Sequence, residues 1–209
     1  MATPPPPPPA PPTNAVPKNV MAGRSATELF QAGLKLWNGK GVKPDTAEAV
    51  KFFRAAAERG QVDAQAYLGA AYRVGTGVEK DPAEALRWFR LAAEQGDARA
   101  QGVLGMMLST AEGVPADLPA AAKWYRLAAE QGLVRAQANL GAMYYLGQGV
   151  PKNPVEAYKW LHLAAQKGDQ TAVKNRGQVS QKMTAEQMAE GRKRAVEFKL
   201  KKSGAGATQ

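Results

Sequence analysis

Few side chains in this chain could do chemistry. His162 is the only histidine, and there is no cysteine in 209 residues. One imidazole cannot form a His cluster, and without thiols there is neither a thiolate metal site nor a disulfide framework. A nucleophile, a base and an orienting group cannot be assembled from such a set. No catalytic residue, metal or cofactor is therefore expected. Three patterns still invite a chemical reading. Turns such as Gly75-Thr76-Gly77 look like phosphate loops, but they lack a Rossmann strand and a Gly-Lys-Ser/Thr ending. Glu94 and Glu130 could pair as acids, and Trp88, Trp124 and Trp160 could form a carbohydrate platform. All of these recur at one fixed interval. The glutamates then belong to a structural consensus, and the tryptophans, set among small alanines, belong to a core. His162 takes the slot of Arg90 and Arg126, an exposed position on its helix.

The interval points to the elements. Asp81–Gly96, DPAEALRWFRLAAEQG, returns as Asp117–Gly132 and Asn153–Gly168, with a degraded copy at Asp45–Gly60, each 36 residues after the last. A fixed period of this size is the signature of a solenoid. Each unit divides into a first helix, A, and a second, B. In the second unit Ala64, Leu68 and Tyr72 share one face of helix A. Gly69 adjoins that face, and its recurrence at Gly33, Gly105, Gly141 and Gly177 predicts close approach of another helix, because a helical glycine costs about 1 kcal/mol relative to alanine. Gly75 ends the helix, and Val78 plugs the space between helices. Asp81 and Pro82 open helix B, with Glu84 expected to complete the cap. Beyond Gly168 the pattern half-continues. Thr184-Ala185-Glu186-Gln187 then starts a last helix whose Met188, Ala195 or Val196, and Phe198 should cover the final repeat.

These readings divide the chain into a disordered Pro-rich tail at 1–25, four repeats at 26–60, 61–96, 97–132 and 133–168, capping helices at 169–202 and a frayed end at 203–209. The prolines Pro4–Pro9 suit a polyproline II spacer. The net charge of +10 falls as +2 on residues 1–25, +3 on 26–168 and +5 on 169–209. A near-neutral array argues against nucleic acid, whose binders carry a basic stripe across the folded surface. No apolar run is long enough to span a membrane. No basic n-region precedes an apolar h-region, so the chain as written reads as cytoplasmic, or as periplasmic or secreted if it is a processed mature form.

The pattern Ala64, Leu68-Gly69, Tyr72, Gly75, Gly77-Val78, Asp81, Ala85, Trp88 and Ala92-Ala93-Glu94-Gln95-Gly96 resembles the Sel-one-like repeat (SLR) family, whose units are related to tetratricopeptide repeats. Leu108 and Ala111 depart from it in the third unit. The resemblance implies an all-α fold, a right-handed α/α solenoid of about four repeats whose A helices line a concave face. It implies an adaptor in protein complexes, often bacterial. Some cysteine-rich relatives are described as binding penicillins, an activity not carried over to a chain without cysteine.

On such a fold, function is expected where the repeats disagree. Three helix A columns do so: Gln31, Tyr67, Val103, Asn139, Asn175; then Leu34, Ala70, Met106, Ala142; then Trp37, Arg73, Ser109, Tyr145. They lie off the Ala64–Leu68–Tyr72 face and should point into the groove. Trp37, Tyr67, Arg73, Val103, Met106, Asn139, Tyr145 and Asn175 are the candidate partner-binding residues, since aromatic, Met and Arg side chains suit recognition. Surface drift and inter-repeat packing are the competing explanation. The expected function is a non-catalytic scaffold that binds another protein or peptide, with no small-molecule substrate. The alternatives are a β-lactam-binding or hydrolysing enzyme, and a binder of nucleic acid or membrane through Arg192-Lys193-Arg194, Lys199, Lys201 and Lys202.

Overall fold

The computed structural model of the chain describes residues 21–199. The Pro4–Pro9 run, Lys201, Lys202 and the 203–209 end lie outside the described residues. Ten helices follow one another, with no strand among the described residues: α1 Ala26–Asn38, α2 Thr46–Glu58, α3 Val62–Val74, α4 Pro82–Glu94, α5 Ala98–Thr110, α6 Leu118–Glu130, α7 Val134–Leu146, α8 Pro154–Gln166, α9 Gln170–Ser180 and α10 Ala185–Glu197. Each A helix packs on its own B helix, and each B helix packs on the next A helix. The result is an all-α repeat solenoid.

Local chemistry sets the helix ends. Asp81 accepts hydrogen bonds from the Ala83 and Glu84 N–H groups, both at 3.0 Å, and Pro82 fills the first helical position. Asn153 does the same for Val155 and Glu156. Glu84 does not close the cap as expected. Its carboxylate turns along the helix, accepting the Trp88 Nε1–H at 3.1 Å and pairing with Arg87. Gly75 and Gly147 end α3 and α7 in the left-handed region, and Ala111 is forced into it at φ 57° to end α5. A left-handed alanine stores strain that glycine would not.

The core is one continuous stripe. Leu68, Leu104 and Leu140 are completely buried, as are Ala64 and Ala85. The recurring glycines are seats for the partner helix. A Cβ at Gly33, Gly105 or Gly141 would fall 2.7–2.9 Å from Phe53, Tyr125 or Leu161. Gly177 is the exception to the expected pattern, with nothing within 4 Å. The reason is at the chain's end: α10 packs against α8, placing Gly191 on Tyr158 and the Phe198 ring 5.1 Å from that of Trp160. Met188, Ala195 and Phe198 cover the last repeat, whereas Val196 points to solvent. The tryptophan row is also uneven. Trp88 and Trp160 are buried, while Trp124 is only partly so.

Buried polar groups bind the units together. Gln65, Gln101 and Gln137 donate to the Ala57, Ala93 and Ala129 carbonyls of the preceding repeat at 3.0–3.2 Å. Gln95 and Gln131 complete the ladder by donating to Gln65 and Gln101 at 2.7 and 2.8 Å. Arg54 and Arg126 reach across the same boundaries to the hydroxyls of Tyr72 and Tyr144.

Candidate functional site

The eight candidate residues fall into two groups. Trp37 and Tyr67 pack inward with Phe30 and Phe53, ring centroids 5.2–6.4 Å apart. Both are half-buried, and their bulk fills the step between the first and second repeats. Tyr145 is half-buried with the Lys182 ammonium 5.6 Å from its ring centre. Asn175 is half-buried on α9.

Arg73, Val103, Met106 and Asn139 converge. They line one hollow of about 540 Å³ together with Arg99, Gly102, Tyr125, Leu133 and Arg135. An adjoining hollow of about 490 Å³ shares Met106, Tyr125 and Asn139 and adds Ser109 and Ala142. Together they form a trough over the step from α5 to α7. The Tyr125 hydroxyl lies 3.3 Å from Ser109 Oγ, and burial pushes its pKa up against the hydrogen bonds from Ser109 and Asn139. The phenol therefore stays protonated and serves as a hydrogen-bonding group. At one end Arg73 Nε donates to Glu112 at 2.9 Å. Arg99 is held by Asp63 at 2.7 Å and Asp97 at 3.1 Å, which raise its pKa further. The trough thus offers an apolar floor, neutral hydrogen-bonding groups and a guanidinium rim.

Among the trough residues outside the three variable columns, Leu133 and Gly102 form a pair. Gln61, Asp97 and Asp169 cap α3, α5 and α9 through their side chains, whereas Leu133 at the same position of α7 makes no capping bond. Losing such a cap typically costs about 1 kcal/mol. The Leu133 side chain instead leans on Gly102, with Cδ2 2.5 Å from where a Cβ would stand. Units on either side have Ala66 and Ala138 at that place, and glycine there costs roughly another 1 kcal/mol. The break in the cap column was visible in the sequence. Its consequence was not, because the contact with Gly102 joins two repeats.

His162 is half-buried rather than exposed. Its ring stacks on Tyr158 at 5.8 Å, and Arg176 lies 3.1 Å from Nδ1. Burial, followed by the charges of Arg176 and Arg192, lowers its pKa.

The Sel1 repeat model matches residues 29–61, 62–97, 98–133 and 134–169. Among solved structures, the chain is similar to a Sel1 repeat protein from Oxalobacter formigenes, at 33% identity and a TM-score of 0.68, over 83% of this chain and 74% of that one. It is also similar to c5321, a protective antigen of uropathogenic Escherichia coli with an SLR fold. There the identity is 29% and the TM-score 0.51, over 88% of this chain and 50% of that one. A comparison with curated proteins returned no match.

Proposed function

Since the chain belongs to the Sel1 repeat family, whose members are typically protein-interaction scaffolds, we propose that it is a non-catalytic adaptor holding a partner protein or peptide in the trough over α5 and α7. One observation carries this reading. Arg73, Val103, Met106 and Asn139, taken from columns where the repeats disagree, share a single hollow with a leucine that replaces a helix cap. Sequences break local rules mainly where function compensates. Among the other candidates, Trp37 and Tyr67 line neither hollow and pack instead with Phe30 and Phe53. The basic run at the C-terminal end serves the cap first: Arg194 is held by Glu190 and Glu156 at 2.7 and 2.8 Å.

The test is affinity capture from the source cell with mass spectrometry, comparing the native chain with Met106→Glu/Asn139→Ala. Both side chains are accessible, so the variant should fold, as circular dichroism would verify. It should lose the partner. Equal capture by the folded variant would reject the trough.

A further inference from the structure

The polarity of the trough narrows its occupant. Resting on the trough as the partner site, we propose that it takes an extended acidic peptide, which sinks one large apolar side chain between Val103, Met106 and Leu133 and sets a neighbouring carboxylate on Arg135. The apolar seat is built by departure from the repeat: Leu133 gives up the cap made by Gln61, Asp97 and Asp169, and Gly102 lacks the Cβ that would clash with the Leu133 side chain. An apolar side chain entering there meets carbon, while the exposed Asn139 side chain, beside the Tyr125 hydroxyl, faces the peptide's backbone.

Charge supplies the second half. Of the three guanidiniums on the lining, Arg73 is engaged by Glu112 and Arg99 by Asp63 and Asp97. Arg135 is exposed and forms no ion pair among the described residues. The acidic group of the lining, Asp169, already accepts the Ala172 N–H at 2.7 Å as the cap of α9. A carboxylate matches the guanidinium fork with two parallel hydrogen bonds, which an ammonium or an amide cannot do. Acidic character in the ligand also speeds encounter and suppresses basic competitors.

A random peptide display library selected on the full chain tests this without presuming a sequence. Enriched peptides should carry net negative charge, with Asp or Glu beside a large apolar residue. Their affinity, read by fluorescence anisotropy, should fall on the order of tenfold for Arg135→Glu. Leu133→Asp restores the cap found at Asp97 and Asp169, so it should remain folded and yet bind at least as poorly. Suppose the enriched peptides show no acidic bias and bind Arg135→Glu unchanged, while Met106→Glu and Leu133→Asp abolish binding. The charge assignment then falls and the trough stands. Binding indifferent to all three variants, or no enriched family, would overturn both.

Discussion

Glu84 and Glu156 hold the same place in the B helices of the second and fourth repeats and do different work. Glu84 accepts the indole N–H of Trp88, whereas Glu156 is drawn to Arg194 and Lys159, and Trp160 Nε1 is buried without a hydrogen-bond partner among the described residues. Leaving a buried donor unpaired typically costs about 1–3 kcal/mol. The edge-to-face contact of Phe198 and the Lys159 ammonium, 4.4 Å from the Trp160 ring centre, offset part of it. His162 makes a prediction in pH. Its folded pKa lies below the ordinary value of 6.5 because burial and the Arg176 and Arg192 charges disfavour the imidazolium. The unfolded chain then takes up a proton first as pH falls, so stability is lost on going below about 6.5. Between pH 7.5 and 5 the melting temperature should drop more for the native chain than for His162→Gln. Parallel slopes would show that the imidazole is not the group responsible.

At the scale of the element, the glycine column separates two roles that look alike in the sequence. Gly141→Ala puts a Cβ 2.7 Å from Leu161 and should destabilise by about 1–3 kcal/mol, the usual penalty of overpacking. Gly177→Ala meets nothing within 4 Å and should stabilise α9 by roughly 0.5–1 kcal/mol. Denaturant titration of the two variants should give shifts of opposite sign; loss of stability in both would mean that α10 covers α9 after all. The helices, their Asp and Asn caps and the buried Leu68–Leu104–Leu140 row were legible because they follow from periods of 3.6 and 36 residues. Glu84's partner was not, since a carboxylate at that position can satisfy either the cap or the indole. The trough was legible in part. Variation between units marked Val103, Met106 and Asn139, but it marked Trp37 and Tyr67 equally. Only three-dimensional packing tells a ring lining a hollow from one filling a step.

For the whole molecule, contact between neighbours is the source of stability, so damage to one unit spreads to those beside it. Leu104 is completely buried in the third of the four repeats, within the one hydrophobic core that runs through them all. Leu104→Asp would bury an unpaired charge there. Circular dichroism should show loss of helix well beyond α5, and an unchanged melting curve would refute the core assignment. The glutamine ladder has a different consequence. Gln95 meets Gln65 and Gln131 meets Gln101 across the same 30 residues, at 2.7 and 2.8 Å. One residue gained or lost between rungs would leave buried amides facing nothing, whereas a complete unit carries both halves of its own rung. The molecule's length is therefore quantised: it can grow or shrink by duplication or loss of an entire unit, and scarcely by any smaller step.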